Sequence, residues 1–313
     1  MKTFKDSDRI LIVGGTGFIG RHLLKRSLME TSNVSVLGLK EGYSEIDANH
    51  NIENICVDLC NKNALKKALS GKSYDYIFNL GGYIDHTLYF KDGRKVIEAH
   101  FAGLMNLLDS IDITQLKGFV QIGSSDEYGS IGAPQKEIVR ESPISCYSFA
   151  KTAASHFIQM LNRTEDFPGV IVRFFLVYGP GQDDKRFLPQ VIKACLNNEE
   201  FKVSEGKQLR DFCYVEDVVE AMIKAALTTE SKGKSINIAS GVPISIKDVI
   251  ESVARIIGGG KPLWGRYPYK TGENMELYAD VTLANELLDW HASTSLDDGL
   301  DKTIFWYKQK IRS

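Results

Sequence analysis

A phenol and an ammonium group stand four residues apart in the segment Tyr147-Ser148-Phe149-Ala150-Lys151. Residues four apart lie on the same face of a helix, so this spacing brings the two groups together. A free phenol has a pKa near ~10 and is a poor base at neutral pH, whereas a fixed positive charge nearby favours the phenolate. The pair therefore indicates acid–base catalysis by Tyr147. The alternative is a surface lysine beside a packed tyrosine.

Two hydroxyl residues and two acids follow the predicted strand at 118–123, in the run Ser124-Ser125-Asp126-Glu127. In a parallel sheet, ligands bind at the carboxyl ends of the strands. Ser124 would then lie where it can hydrogen-bond the same substrate oxygen as Tyr147. Asp126 is a further candidate acid beside it.

A glycine-rich segment follows the first predicted strand, at 10–13, and begins a helix. Gly14 permits a sharp turn, Gly17 lets the backbone approach a pyrophosphate, and Gly20 lets the helix pack close to the sheet. The free N–H groups of the helix N-terminus favour an anion there. We predict a dinucleotide site formed by Gly14, Thr16, Gly17, Phe18, Ile19 and Gly20.

Apolar strands alternate with helical patterns through the first half of the chain, which indicates crossover units and a parallel sheet. We predict an α/β fold: a Rossmann-type doubly wound parallel sheet with a smaller, interleaved α/β lobe that binds substrate. The expected dinucleotide-binding domain is 1–175 plus 212–240, and the expected substrate lobe is 176–211 plus 241–313. Among the predicted elements are a helix at 94–110 and a strand at 169–177.

The composition excludes several classes of protein. The chain has 313 residues and a net charge of −2, so nothing favours nucleic acid or an anionic membrane as a partner. No apolar stretch reaches the ~18 residues of a membrane span, and no signal-peptide pattern opens the chain. Five cysteines do not form a disulfide framework, which favours a cytoplasmic protein. Cys56 and Cys60 lack a second ligand pair, so we expect no metal and expect both to be buried.

Together, the glycine loop, Ser124, Tyr147 and Lys151 resemble the extended short-chain dehydrogenase/reductase family, specifically its NAD(P)-dependent nucleotide-sugar epimerases, dehydratases and reductases. The resemblance runs from about Arg9 to Trp306. It implies that Tyr147 is the acid/base on a sugar oxygen, that Lys151 binds the nicotinamide ribose and lowers the Tyr147 pKa, and that Ser124 holds the reacting oxygen.

The same resemblance assigns further contacts. It places Asp58 and Leu59 at the adenine, and the backbone of Leu80, Gly81 and Gly82 along the cofactor. For the substrate it implies that Arg210 grips the diphosphate of a nucleotide sugar, a task suited to a planar guanidinium. Lys270 stands where many relatives place a second arginine, and Leu176 replaces an asparagine. Ser125 and His86 are further candidates for contact with the sugar.

The cofactor prediction depends on the end of the second strand. NAD-using relatives carry an acid there that binds the ribose hydroxyls, whereas this chain has Gly38 and Lys40. Gly38 leaves room for a 2′-phosphate and Lys40 can pair with it, so the sequence favours NADP over NAD. Alternatively, Lys40 points to solvent and Asp47 or Glu41 reaches the ribose.

Several reactions use hydride chemistry at C4 of a hexose. The run from Gly123 to Gly129 looks closest to that of 4-keto-6-deoxy-hexose reductases, so we expect a reductase of such a sugar nucleotide. A 4-epimerase and then a 4,6-dehydratase are the alternatives, and a nonenzymatic dinucleotide-binding regulator is the rival from another class. Helices 94–110 and 147–161 carry apolar residues on more than one face, which favours a homodimer.

Overall fold

The structure is a computed structural model and describes residues 3–40, 52–269 and 272–312. Its strands are β1 (Ile10–Val13), β2 (Val34–Gly38), β3 (Glu53–Cys56), β4 (Tyr76–Asn79), β5 (Gly118–Ser124), β6 (Gly169–Phe174), β7 (Leu176–Tyr178), β8 (Glu200–Lys202), β9 (Leu209–Tyr214), β10 (Ser235–Ile238), β11 (Pro243–Ser245), β12 (Lys261–Leu263) and β13 (Glu276–Leu277). Its α-helices are α1 (Phe18–Ser27), α2 (Lys62–Leu69), α3 (Arg94–Ile97), α4 (Gly103–Leu108), α5 (Cys146–Glu165), α6 (Phe187–Leu196), α7 (Val215–Leu227), α8 (Ile246–Ile257), α9 (Thr282–Leu288) and α10 (Leu296–Arg312).

The main sheet is parallel and has the strand order β10-β6-β5-β4-β1-β2-β3. The order reverses between β1 and β4, because the chain goes outward to β2 and β3 and then returns to β4. Such a reversal leaves a crevice at the carboxyl ends of the two strands. The predicted doubly wound fold is therefore confirmed.

Side chains from both faces of the main sheet are buried. In β1, Ile10 and Ile12 pack with α1 and α7, whereas Leu11 and Val13 face the opposite layer, which contains α2, α4 and α5. Neighbouring side chains of a strand point to opposite faces, so a strand covered by helices on both sides has to be apolar throughout. The Ile-Leu-Ile-Val sequence of β1 meets this requirement.

A second group of elements lies beyond the carboxyl edge of the main sheet. Strand β9 is its centre and pairs with β7, β11 and β13, while β8 pairs with β12. Helices α6, α8 and α10 share a hydrophobic core with these strands. Helix α9 packs instead against α7 and β10 of the main sheet. The domain boundaries given above stay a prediction.

Two predicted elements differ from the structure. The strand expected at 169–177 stops at Phe174 and resumes as β7, because the chain leaves the main sheet there to pair with β9. The helix expected at 94–110 is interrupted by a π-helical turn at Glu98–Ala102. Such turns are often found at functional sites, and this one carries a buried histidine, His100.

The cysteine expectation was wrong in one respect, because Cys56 and Cys60 are both exposed. Cys56 ends β3, the edge strand of the sheet, and Cys60 lies in the turn that follows it. Within the described ranges, no cluster of three or more His, Cys, Asp or Glu residues has a metal-binding arrangement. The described helices include none that is both long and apolar enough to span a membrane.

Candidate active site

A cleft of about 540 Å³ lies at the carboxyl ends of β1, β4 and β5, bounded on its far side by β7, β9 and α6. It brings together residues that are far apart in the sequence. The predicted site residues that line it are Gly14, Gly17, Phe18, Ile19, Gly20, Leu80, Gly81, Gly82, His86, Ser124, Ser125, Asp126, Tyr147, Lys151 and Leu176.

The glycine loop has the geometry of a phosphate cradle. Gly14 has a φ of +75°, and a Cβ on it would lie 2.8 Å from the carbonyl oxygen of Leu80. A Cβ on Gly20 would lie 2.6 Å from Cα of Gly15, so the start of α1 approaches the loop closely. Helix α1 begins after Gly17 with no side-chain cap. Its first N–H groups are therefore available to an anion, and the cradle fits the pyrophosphate of a dinucleotide.

Tyr147, Ser124 and Lys151 meet in the cleft because β5 and α5 are adjacent. Strand β5 ends at Ser124, which lines the cleft together with Tyr147. Lys151 lies one turn after Tyr147, and its Nζ donates to the carbonyl oxygen of Ile122 in β5 at 3.0 Å. This bond ties the helix to the strand and fixes the ammonium group 5.7 Å from the centre of the Tyr147 ring. The three predicted catalytic side chains are thus close together.

Burial dominates the electrostatics of this group. It raises the pKa of Tyr147 above that of a free phenol, the Asp126 carboxylate adds to the rise, and the nearby Ser124 hydroxyl opposes it. Burial also lowers the pKa of Lys151 to about 8, against the effect of Glu127. Removal from water is thus the largest influence on the Tyr147 pKa, and its lowering by Lys151 stays a prediction. At neutral pH, Tyr147 carries its proton and can donate it.

Glu127 holds Ser124 in place. One carboxylate oxygen accepts from the backbone N–H of Ser124 at 2.8 Å, and the other accepts from the Ser155 hydroxyl at 2.8 Å. Arg173, which is 1% exposed, forms an ion pair with Glu127 at 2.9 Å. The sequence analysis did not assign this role. The Ser-x-x-Glu spacing of a capping box, which Ser124 and Glu127 form, is the signal that could have revealed it.

Asp126 and His86 occupy the cleft beside Tyr147. The distance from Nε2 of His86 to Oδ2 of Asp126 is 3.7 Å, and the His86 ring lies 5.7 Å from the Tyr147 ring, edge to face. Burial raises the pKa of Asp126, while the charges of His86 and Arg186 oppose the rise. Both carboxylate oxygens of Glu127 contact other side chains or backbone groups of the protein. Asp126 is therefore the acid of this run that faces the cleft.

His100 is a site residue to which the sequence analysis gave no role. The π-helical turn places its ring 5.2 Å from that of Tyr147, and its Nε2 lies 2.7 Å from the carbonyl oxygen of Tyr83. Burial, reinforced by the charge of Lys151, lowers the pKa of His100 to about 3. The imidazole is therefore neutral. The available signal was the spacing of His100, which stands four residues from each of the apolar residues Val96 and Leu104 and so shares their helix face.

Other predicted residues lie outside the cleft lining. Thr16 and Leu59 lie just behind it: a Cβ on Gly38 would be 3.3 Å from the Thr16 hydroxyl, and one on Gly81 would be 2.7 Å from Leu59. Lys40 and Asp58 are exposed near the ends of β2 and β3, and the Asp58 carboxylate accepts from the backbone N–H of Cys60.

Arg210, the predicted diphosphate ligand, is 8% exposed and forms an ion pair with Glu273 at 2.5 Å. It does not line the cleft in this structure. Lys270, together with Glu41 and Asp47 of the alternative cofactor prediction, falls outside the described residues. The roles of these side chains stay predictions.

The parallel sheet, the glycine cradle and the Ser-Tyr-Lys group define a dinucleotide-dependent enzyme of the short-chain dehydrogenase/reductase type. The chain belongs to the NAD dependent epimerase/dehydratase family, which matches residues 10–239. This confirms the family resemblance found in the sequence.

Relatives of known activity align along nearly the whole chain. It is 28% identical to the UDP-N-acetyl-alpha-D-glucosaminuronate decarboxylase of Bacillus cytotoxicus, over 96% of this chain and 98% of that protein. It is 26% identical to the UDP-glucuronate 4-epimerase of Thermodesulfobacterium geofontis, over 96% of each. The solved UDP-glucuronic acid 4-epimerase of Bacillus cereus, in complex with UDP-glucuronic acid and NAD, superposes with a TM-score of 0.84 at 26% identity, over 96% of this chain and 99% of that one.

Proposed function

We propose that this enzyme reduces a 4-keto-6-deoxy sugar nucleotide at C4 with hydride from NAD(P)H. The observation that carries this proposal is the position of Tyr147, a buried phenol that lines the cleft together with Ser124, Lys151 and the glycine cradle. Reduction of a carbonyl needs a proton donor at the oxygen, whereas oxidation of an alcohol needs a base. A phenol that holds its proton suits the reductive direction.

In the proposed reduction, each group of residues in the cleft has its own role. The bound cofactor would supply hydride to C4, held through its pyrophosphate by the cradle at Gly14, Gly17 and Gly20. Ser124 and Tyr147 donate hydrogen bonds to the carbonyl oxygen, and Tyr147 passes its proton to that oxygen as the alcohol forms. After this transfer Tyr147 is a phenolate, and the positive charge of the Lys151 ammonium group stabilises it.

The cofactor preference rests on the end of β2. Gly38 and the exposed Lys40 favour NADPH, and a reductase consumes one reduced cofactor in each turnover. The B. cereus relative was solved with NAD. We propose NADPH as the preferred cofactor and NADH as the alternative.

A 4,6-dehydratase fits the geometry less well. Dehydration needs one group to remove the proton at C5 and a second to protonate the leaving hydroxyl at C6. Glu127 is fully buried in its contacts with Ser124, Ser155 and Arg173, which leaves Asp126 as the acid of the run available in the cleft.

A 4-epimerase is the second candidate, favoured by the similarity to UDP-glucuronate 4-epimerases along the whole chain. An epimerase oxidises and then reduces C4 with the same cofactor, so it retains a tightly bound NAD. A reductase releases the oxidised cofactor after each turnover. The cofactor that co-purifies with the protein therefore discriminates between the two.

The decisive experiment supplies NADPH or NADH with 4-keto-6-deoxy sugar nucleotides carrying different bases and follows oxidation of the cofactor. In parallel, UDP-glucose and UDP-glucuronic acid are tested for 4-epimerisation. We expect cofactor oxidation with the keto sugar. Epimerisation without net oxidation would refute the reductase. Tyr147→Phe should lower turnover by roughly 10²–10⁴-fold with cofactor binding retained. Tyr74→Phe, an equally buried tyrosine outside the cleft, is the matched control.

We also propose a homodimer. Helix α5 packs on the π-helical turn, where the Phe101 and Phe157 rings are 5.8 Å apart, yet it exposes Phe149 and Met160. These apolar side chains are available to a second copy. Light scattering should report about twice the 35.0 kDa of one chain.

A further inference from the structure

We propose that Glu127 acts on two members of the catalytic group formed by Ser124, Tyr147 and Lys151: it fixes the backbone of Ser124, and it is the buried counter-charge of the Lys151 ammonium group. Glu127 is a positioning residue, since it does not line the cleft and works through these two neighbours. The inference rests on the proposed function, because it assumes that hydride transfer at C4 uses the catalytic group.

The carboxylate of Glu127 joins the end of β5 to helix α5. Its Oε1 accepts from the backbone N–H of Ser124 at 2.8 Å, and its Oε2 accepts from the hydroxyl of Ser155 in α5 at 2.8 Å. The side chain is fully buried. Loss of this carboxylate would leave a buried N–H without its acceptor, and Ser124 would no longer be fixed relative to the helix that carries Tyr147 and Lys151.

Gly123 makes room for this carboxylate. A Cβ at residue 123 would lie 2.6 Å from Oε1 of Glu127 and 2.9 Å from Cγ of Arg173. Protein interiors are close-packed, so separations this short would force the ion pair apart. The residue directly before Ser124 therefore has to be a glycine for Glu127 and Arg173 to meet.

Arg173 holds Glu127 without cancelling the charge of its surroundings. Its guanidinium donates to Glu127 through Nε at 3.0 Å, to the Tyr128 hydroxyl through Nη1 at 3.1 Å, and to Glu141 through Nη2. One positive charge thus faces two carboxylates, so this buried group keeps an excess negative charge. An excess charge in the protein interior is costly unless an opposite charge lies nearby.

Lys151 is the cation that compensates this excess. It is 4% exposed, and its Nζ donates to the carbonyl oxygen of Ile122, two residues before Ser124. Burial lowers the pKa of Lys151 to about 8, and Glu127 opposes this fall. The two charges interact through the protein interior, where water and salt screen them weakly.

The other groups that face Lys151 supply no negative charge. His100 of the π-helical turn is neutral, because burial lowers its pKa to about 3. Tyr147, one turn before Lys151 in α5, holds its proton because burial raises its pKa. Within the described part of the chain, Glu127 is the charge that stabilises the Lys151 ammonium group.

The Glu127 charge also acts on Tyr147. Burial raises the Tyr147 pKa most, the carboxylates of Asp126 and Glu127 add to the rise, and Arg186 opposes it. Removal of the Glu127 charge therefore favours proton loss from both Tyr147 and Lys151. Reduction needs both groups in their protonated forms, so activity should be lost at a lower pH.

Two substitutions separate the two effects. Glu127→Gln keeps an oxygen that can accept from Ser124 but removes the charge, whereas Glu127→Asp keeps the charge and is one methylene shorter. With NADPH and a 4-keto-6-deoxy sugar nucleotide, we expect the alkaline limb of kcat/KM to lie roughly 0.5–1 pH unit lower in Glu127→Gln than in wild type. In Glu127→Asp the limb should keep its wild-type position, while kcat falls roughly 10-fold because Ser124 is misplaced.

Asp217 provides the matched control for loss of a buried carboxylate. Like Glu127, it accepts from a hydroxyl, that of Ser293 at 2.8 Å, and from a backbone N–H, that of Thr294 at 2.9 Å. It is 7% exposed and lies outside the cleft. Asp217→Asn should lower stability without moving the alkaline limb. A wild-type limb in Glu127→Gln would refute the counter-charge, and a wild-type kcat in Glu127→Asp would refute the fixing of Ser124.

Binding of NADPH verifies that each variant is folded. If Glu127→Gln does not bind NADPH, Glu127→Gln/Arg173→Met takes its place, because it removes both charges of the pair and leaves no unpaired buried guanidinium. The same shift of the alkaline limb is expected.

Failure of the proposed reductase would show as no NADPH oxidation by wild type. The proton loss of Lys151 is then measured without substrate, by urea unfolding at neutral and alkaline pH. Lys151→Met is introduced into wild type and into Glu127→Gln, and the pH at which its effect on stability changes should be lower in Glu127→Gln. The same pH in both backgrounds would overturn the counter-charge.

Discussion

The imidazole of His100 fills the space in which a side chain at residue 82 would lie. A Cβ on Gly82 would come within 2.8 Å of Cε1, Nδ1 and Nε2 of that ring, and Gly82 itself has a φ of +113°. The π-helical turn at Glu98–Ala102 can therefore place His100 in this position only because residue 82 is a glycine. It brings a neutral imidazole against the Tyr147 ring.

Gly82→Ala should lower the free energy of unfolding by about 1–3 kcal/mol through overpacking against His100, in addition to the strain of its backbone conformation. Urea unfolding measures this change. Gly71→Ala is the control for strain alone, since Gly71 has a φ of +73° with no atom within 4 Å of a Cβ.

The double variant Gly82→Ala/His100→Ala tests the contact directly. Removal of the ring should recover most of the overpacking cost, giving a coupling energy of about 1 kcal/mol or more between the two positions. Strictly additive effects would show that the two residues do not contact each other.

Lys151 makes stability depend on pH. Its pKa in the folded protein is about 8, against 10.5 for a free lysine. Below pH 8 both states hold the proton, and the folded state bears the full cost of a buried charge. Between pH 8 and 10.5 the unfolded state binds more protons, so stability rises with pH.

Lys151→Met removes this titration. The unfolding free energy of wild type relative to the variant should rise by about 3 kcal/mol between pH 7.5 and pH 10.5. Urea unfolding across this range measures the difference, with the exposed Lys66→Met as the control for non-specific effects. A difference that stays constant with pH would contradict the lowered pKa.

The sequence predicted most of what local patterns determine. Buried strands, the glycine turn at Gly14 and the i, i+4 pairing of Tyr147 with Lys151 depend on neighbouring residues, and all appear in the structure. It also named His86 as a candidate sugar contact and Asp126 as a candidate acid, without showing that the two side chains meet.

Contacts between distant segments were harder to predict. The network of Glu127 and Arg173 joins residues 46 positions apart, and the pKa of Tyr147 depends on burial that no sequence pattern expresses. The split between β6 and β7 depends on pairing with β9, which lies more than thirty residues later. Side-chain identity alone did not reveal that Glu273 would be the partner of Arg210.

Lys40 provides a test of the cofactor preference. NADPH should bind more tightly than NADH, and Lys40→Ala should weaken NADPH binding by about 2–5-fold, the effect of one exposed ion pair, while NADH binding stays unchanged. Fluorescence titration at low and high salt measures both affinities, and Lys67→Ala, on α2, is the control. Equal or tighter binding of NADH to wild type would refute the prediction.

The ion pair between Arg210 and Glu273 has to break if Arg210 is to bind a diphosphate. Both side chains are largely buried, at 10% and 21% exposed, and burial lowers the pKa of Arg210 against the effect of Glu273. Glu273→Gln would leave the guanidinium without its charged partner. The unfolding free energy should then fall by about 1–3 kcal/mol, the cost of an unpaired buried charge.

The same variant should bind a nucleoside diphosphate more tightly, because no ion pair has to be broken first. We expect the dissociation constant of the tightest binder among UDP, dTDP, CDP and GDP to fall by roughly 5–10-fold, equivalent to about 1 kcal/mol. Calorimetric titration measures it, and Glu276→Gln, an exposed acid three residues further on, is the control. If stability falls while the dissociation constant is unchanged, Arg210 is a structural residue, and the diphosphate is bound elsewhere in the cleft.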